Sequence, residues 1–287
     1  MSPPLHLRLM TANDLAFADS LRALAGWNQT RDDWRDLIAL EPTGCFVAEW
    51  KGAPAGTATT TCYGKQVAWI GMALVHPECR RRGIGKALLN HCIAHLENCR
   101  IQCIKLDATP LGKTLYEQLG FRDEWALTRW EAARSEQRHS PEDHRTRPWE
   151  SSDAELSREL DARAFGVARP RVLERLAQRS SRALAQTSPT GELTGYGMLR
   201  EGSRATYLGP IVANSTGVGT ALIPELLAFA LDRPIYWDIP DHNTHAVELA
   251  KSLGFLPQRP LIRMFLGENR CPGNPLLQFA IADPAIG

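Results

Sequence analysis

No stretch of the sequence reaches the roughly 18 apolar residues that a membrane-spanning helix needs, and the first eight residues lack the charged head and apolar run of a secretory leader. Both absences predict a soluble, cytoplasmic protein with no membrane partner. An excess of charge is missing as well. The 33 Lys and Arg residues face 32 Asp and Glu, a formal net charge of +1, so no global field draws the chain to nucleic acid, and any electrostatic argument must be local. Cysteine is sparse and scattered. Cys45, Cys62, Cys79, Cys92, Cys99, Cys103 and Cys271 include no CxxC pair and no disulfide framework, so free thiols are expected. Cys99 and Cys103 lie four apart without further ligands, and His91 and His95 lack the adjacent Glu of a His-Glu-x-x-His site, so no metal is expected.

What is present is ordinary globular composition, 44% apolar and 23% charged over 287 residues, enough for two compact cores. The pattern reads as α/β. Residues 6–10 alternate like a strand, and Thr11 with Asp14 offers an N-cap for the apolar-periodic residues 15–24. Residues 45–50 and 55–62 form a predicted hairpin around a turn rich in Gly and Pro. Val67 to Val75 reads as a central strand, and Leu88, Leu89, Cys92, Ile93 and Leu96 keep helical spacing. A strand at 101–106 and a short helix at 113–119, closed by Gly120, complete the pattern. Residues 134–150 are charged and nearly free of aliphatic side chains, which predicts a linker between domains at 1–133 and 151–287. Beyond it come helical patterns at 154–164, 172–184 and 222–231 and strand-like runs at 193–199 and 205–212.

That order of elements repeats. Gly83, Gly85 and Leu89 match Gly217, Gly219 and Ile223, and Leu119-Gly120-Phe121 matches Leu253-Gly254-Phe255, each pair separated by 134 positions. Two motifs sharing one offset indicate two copies of one module, each a mixed twisted sheet flanked by helices.

Between the strand ending at Val75 and the next helix lies Arg80-Arg81-Arg82-Gly83-Ile84-Gly85-Lys86. A helix N-terminus presents unpaired amides and partial positive charge, and glycines let a ligand approach the backbone closely. Four cations at this point suit a diphosphate; a basic solvated turn is the alternative. The spacing departs from the nucleotide P-loop and from the dinucleotide fingerprint, since Leu88 stands where the third glycine would fall.

These residues resemble the GNAT superfamily of N-acetyltransferases, whose acetyl-CoA loop reads Arg/Gln-x-x-Gly-x-Gly/Ala; Arg80, Gly83 and Gly85 match it. Leu115-Tyr116 followed by Gly120-Phe121 resembles the family's Leu-Tyr-x-x-x-Gly-Phe segment, in the right order after an intervening strand. The resemblance implies that Met72, Leu74 and Val75 offer backbone groups to the pantetheine arm and that Arg81 to Lys86 grip the diphosphate. It also implies that a neutral amine attacks the thioester while Tyr116 protonates the departing thiolate. A buried Tyr116 serving only as a core aromatic is the alternative. For the base, Asp107 is the first candidate, with His76 and Glu78 behind it; Asp107 could instead cap the turn before Pro110. Trp27 and Trp34, in the segment where the family's acceptor often binds, are candidate acceptor contacts.

The second copy has lost this chemistry. At the 134 offset Arg80, Arg81, Arg82 and Lys86 become Asn214, Ser215, Thr216 and Thr220, and Tyr116 becomes Ala250. Its two glycines suggest a retained turn, and Asp161, Phe165, Gly166 and Arg169 resemble a segment of divergent second domains; Asp238 and Asp241 are weaker candidates to face a cationic acceptor. The chain as a whole resembles tandem members of the family with a divergent second domain. An acetyl-CoA-dependent N-acetyltransferase acting on a small primary amine is the implied activity. An acyl-CoA-binding regulator without catalysis and a protein-lysine acetyltransferase are the alternatives.

Overall fold

The computed structural model describes residues 4–133, 146–230 and 233–287. In the first half β1 (Leu5–Leu9) leads to a short turn where Asp14 accepts from the Thr11 amide at 2.8 Å and its hydroxyl at 3.0 Å. Helix α1 (Leu15–Leu24) follows, then α2 (Arg31–Leu40), begun by the reciprocal capping of Thr30 and Asp33. Then come β2 (Cys45–Trp50), β3 (Ala53–Tyr63), β4 (Val67–Val75), α3 (Ile84–Asn98), β5 (Cys103–Ala108), α4 (Pro110–Gln118) and β6 (Arg122–Ala132). The second half contains β7 (Thr146–Pro148), α5 (Asp153–Leu156), α6 (Arg158–Phe165), α7 (Pro170–Gln178), β8 (Ser180–Thr187) and β9 (Leu193–Glu201). It continues through β10 (Thr206–Ala213), α8 (Thr216–Leu227), β11 (Ile235–Pro240), α9 (Thr244–Ser252), β12 (Leu256–Gly267) and β13 (Gln278–Ala280).

Several boundaries differ from the sequence expectation. Residues 134–145 of the expected linker lie outside the described residues, and its end holds β7, which pairs with β8. The helix expected over 172–184 stops at Gln178 because the chain turns at Arg179 into β8, which pairs along its length with β9. Helix α2 carries no expectation in the sequence, yet it buries Trp34, Leu37 and Leu40 along one face.

The strands form one sheet in the order β1-β2-β3-β4-β5-β12-β6-β11-β10-β9-β8-β7, with β13 beside β10. Exchanging the two halves of the chain reproduces this order reversed, so a pseudo-twofold axis passes between β12 and β6. Each half hands its sixth strand to the other: β12 pairs with β5, and β6 pairs with β11. The expected domains are therefore contiguous in sequence but interlocked in space. The exchange is pinned by two equivalent buried ion pairs. Arg263 on β12 donates to both carboxylate oxygens of Asp107 on β5, at 2.9 and 3.0 Å, and Arg129 on β6 donates to both of Asp238 on β11, at 2.7 and 2.6 Å. A third device also recurs, since Arg8 clamps Asp14 as Arg147 clamps Asp153.

Candidate functional site

In the first half, β4 and β5 run parallel but pair only over Val67 to Trp69 against Cys103 to Lys105. Beyond that point they diverge. On its other edge β4 carries a bulge: Thr57 opposes Leu74 and Thr59 opposes Gly71, so Met72 and Ala73 face a single residue of β3. Met72 adopts φ 49°, and the Thr57 hydroxyl holds its carbonyl at 2.9 Å. The divergence leaves the backbone of β4 beyond Trp69 free of a neighbouring strand on the β5 side.

The eight residues His76 to Gly83 carry the chain from β4 to α3. Gly83 sits at the helix N-cap with φ 80°, a left-handed conformation that suits glycine, and no side chain caps the helix. The first amides of α3 are thus unclaimed by capping, with Arg80, Arg81, Arg82 and Lys86 exposed around them. Arg80 Nε donates to the Val75 carbonyl at 3.2 Å and Arg82 to that of Glu78 at 3.3 Å, which ties the loop without using a carboxylate. Ile84 is buried in the core, and the space beside Gly85 is bounded by Leu115 and Val75.

The split between β4 and β5 opens into a small cavity of about 40 Å³. Trp27, Gln29, Ile70 to Ala73, Asp107, Thr109, Tyr116, Arg259, Leu261, Pro284 and Ala285 line it. Tyr116 on α4 stacks edge-on with Phe121 and has no hydrogen-bond partner among the described residues. Burial, with a smaller contribution from Cys92, pushes its phenol up to about 12, so it stays protonated at neutral pH. Asp107 reaches the same cavity, but Arg263, stacked on Trp69 and Trp125, occupies both of its oxygens. Burial raises this carboxyl above the usual carboxylate range, and the guanidinium opposes that rise. The expectation of Asp107 as a free base is corrected on this ground, and it caps no turn either: Thr109 is the N-cap of α4. Trp27 lines the cavity, whereas Trp34 is corrected to a core residue, fully buried on α2 and outside the lining. His76 and Glu78 lie outside the lining, in the loop. Sequence reasoning missed Gln29, Arg259, Pro284 and Ala285. The last three arrive from the other half of the chain, where no local pattern announces them. Among the described residues no His, Cys, Asp and Glu side chains gather as a metal site, and no helix is long and apolar enough to cross a membrane.

Comparison with known proteins decides the family. Residues 15–121 match the model of the acetyltransferase (GNAT) family, and residues 157–280 match that of an acetyltransferase (GNAT) domain. The chain is a tandem of two GNAT-like acetyltransferase domains. A solved structure described as a "Putative Acetyltransferase" from Pyrococcus horikoshii is 25% identical, with a TM-score of 0.85 over 100% of this chain and 97% of that one. A "Tandem GNAT protein from the clavulanic acid biosynthesis pathway" shares the fold at 18% identity, with a TM-score of 0.68 over 91% of this chain and 98% of its own. The "Uncharacterized N-acetyltransferase YitH" of Bacillus subtilis is 27% identical over 186 residues, 65% of each chain, so the chain spans about two thirds of that curated relative.

The second GNAT-like domain closes the same cleft with its own chain. β10 and β11 pair only at Thr206 and Tyr207 against Ile235 and Tyr236, then part as β4 and β5 do. Here β13 enters the gap. Ala280 and Gln278 pair with Ile211 and Val212 of β10, the Ile281 amide donates to the Asp238 carbonyl of β11, and Trp237 Nε1 donates to the Phe279 carbonyl at 2.7 Å. The connection from β10 to α8 is two residues, Asn214 and Ser215, and Ser215 caps the helix by accepting from the Val218 amide. The expected retention of the glycine turn is corrected. Gly217 lies inside α8, and Gly219 faces the Phe279 ring, with its missing Cβ position 2.5 Å from ring carbons. Ala250 replaces the phenol in a buried apolar cluster. Asp238 is locked to Arg129 through both oxygens, and the exposed Asp241 accepts from Thr128 through one of its two. Asp161 and Arg169 form a further buried pair, with Tyr196 donating to Asp161 at 2.6 Å and Arg169 to the Gly287 carbonyl.

Proposed function

We propose that the chain is an acetyl-CoA-dependent N-acetyltransferase that transfers the acetyl group directly to the primary amine of a small molecule, with one working site, in the first domain. The observation that carries this reading is the half-buried, protonated and unpartnered phenol of Tyr116 at the split between β4 and β5, with an uncapped helix N-terminus ringed by four cations following β4. The residues present fit acetyl-CoA. The amides from Arg81 to Lys86 would hold the diphosphate, and the bulged backbone from Met72 to Val75 would hold the pantetheine arm and place the thioester at the cavity. A neutral amine then supplies its lone pair to the carbonyl carbon. As the new C–N bond forms and the C–S bond breaks, the thiolate takes the Tyr116 proton. Asp107, with both oxygens engaged, is assigned to hold β12 against β5, and the proton lost by the amine leaves through water.

The cavity is small, about 40 Å³, well short of the roughly 300–1,000 Å³ of drug-sized ligand sites. Its roof of Pro284 and Ala285 favours a small acceptor over a lysine presented on a protein surface. Thiol release from acetyl-CoA, measured with a panel of small amines and with lysine-containing peptides, tests the reading. Turnover with small amines supports it; tight acetyl-CoA binding without turnover would leave an acyl-CoA sensor, and turnover confined to peptides would leave a protein acetyltransferase.

A further inference from the structure

Two residues lining the cavity are charged, Asp107 and Arg259. Asp107 is matched by Arg263. Arg259 is not matched: it enters from β12, is half-buried, and forms no hydrogen bond or ion pair among the described residues, with its Nε buried and lacking an acceptor. Its cross-strand neighbour on β6 is Arg129, another cation, whose own carboxylate is the bidentate partner Asp238. Burial, and after it Arg129, work against the charge of Arg259, while Asp238, Tyr236 and Asp283 act in its favour without any of them forming an ion pair or hydrogen bond with it. A guanidinium stays ionised nonetheless, so a charge without an ion-pair partner lines the cavity. On the same wall Gln29 is buried; its Nε2 donates to Asp283 at 2.8 Å, while its Oε1 is buried without a donor. A partnerless buried amide oxygen and a partnerless guanidinium on one small cavity are two costs that a single ligand can remove.

We infer that the acceptor is an amine that also carries an anionic oxygen group, an amino-acid-like molecule whose carboxylate or equivalent oxyanion is held by Arg259 while its nitrogen lies toward Gln29 and Tyr116. This rests on the acetyltransferase reading and narrows its substrate class. The guanidinium offers a planar pair of donors to an oxyanion, and Gln29 Oε1 offers an acceptor to an N–H. The second domain thereby contributes specificity to the site of the first, through the exchanged strand β12. The position equivalent to Arg259 on β6 is Trp125, which stacks on Arg263, so the charge occurs on one side of the pseudo-twofold axis alone.

The test sets amino acids against the amines left when their carboxyl group is removed, for example phenylalanine against phenethylamine, and measures kcat/KM at fixed acetyl-CoA. The anionic member of each pair is expected to be favoured by at least about tenfold. Arg259→Gln removes that preference by raising KM about 10- to 100-fold for the anionic member alone, the scale of one lost charged hydrogen bond, with the KM for acetyl-CoA unchanged. Arg259→Lys restores part of it. Equal use of both members by the parent protein, or an equal loss for both in Arg259→Gln, would overturn the inference. If no amine is acetylated, the acetyltransferase reading itself fails, and calorimetry on the CoA complex decides this inference separately. Tighter binding of the amino acid, lost in Arg259→Gln, supports it, and equal or absent binding of both members overturns it.

Discussion

The two halves of the molecule share a strand order and differ most tellingly at the gap where the fourth and fifth strands of each part company. In the first half the gap is a cavity lined by Tyr116 and β4, and an eight-residue loop leads from β4 to an uncapped helix; the bulge of β4 recurs in β10 and is shared. In the second, β13 fills the gap, the loop is two residues, and Ser215 satisfies the helix end. The comparison separates structural from functional residues without any outside reference. Features present in both halves, the Arg8–Asp14 and Arg147–Asp153 clamps and the Asp107–Arg263 and Asp238–Arg129 pairs, serve the shared fold. Features present once, namely Tyr116, the Arg80–Lys86 loop and Arg259, are the ones assigned to the proposed site. Asp107 falls in the first group because its twin does the same work beside a filled cleft.

The largest effect is expected from Tyr116→Phe, which should lower kcat about 10²- to 10⁴-fold, the usual contribution of a positioned proton donor, with acetyl-CoA affinity nearly intact. Steady-state kinetics with a titration of acetyl-CoA checks both, and unaltered turnover would return Tyr116 to the core. Next, Asp107→Asn and Asp238→Asn should each destabilise the fold by about 3–5 kcal/mol in denaturant unfolding, since each strands a buried guanidinium. Equal losses sharpen the comparison. A kinetic defect in Asp107→Asn with unchanged stability would break it and restore the free-base assignment.

Smaller changes follow at the helix ends. Replacing Arg80 and Arg82 by Gln should weaken acetyl-CoA binding by about 1–3 kcal/mol, more at low salt, while Ser215→Ala should cost about 1 kcal/mol of stability through its lost cap and leave acetyl-CoA binding unchanged. Binding calorimetry and thermal unfolding on the two variants read these apart. The smallest effect concerns pH. The hydrogen bond from Arg8 holds the Asp14 carboxyl below its usual range. With its folded-state pKa depressed, the stabilisation is present above about pH 4, the ordinary Asp value, and disappears as pH falls through the folded-state value. The stability difference between the parent protein and Asp14→Asn should therefore be constant near neutrality, about 1 kcal/mol or less for a partly exposed pair, and shrink in acid.

Much of the first half was legible because its signals are local. The apolar run of β4, the glycines before α3 and the spacing of Leu88, Leu89, Cys92 and Leu96 each fall within one element, and Tyr116 stands in a short motif. Two copies of the module were legible from the common 134-residue offset. The strand exchange was not, because β6 and β12 owe their neighbours to pairings more than a hundred residues apart. That is why Asp107 looked free: Arg263 is 156 positions away. It is also why Trp34 passed for a pocket residue, since a Trp on an amphipathic helix reads alike whether its stripe meets a core or a ligand. The filled cleft escaped for a similar reason, as β13 is three residues long and pairs with a strand far upstream.

The most direct measurement is the stoichiometry of acetyl-CoA binding by titration calorimetry, on the parent protein and on variants at the two helix ends. The account predicts one site per chain, weakened by substitution of Arg80 and Arg82 and unaffected by substitution of Ser215 or Thr220. Two sites per chain, or one site lost on changing Ser215 and Thr220, would contradict it.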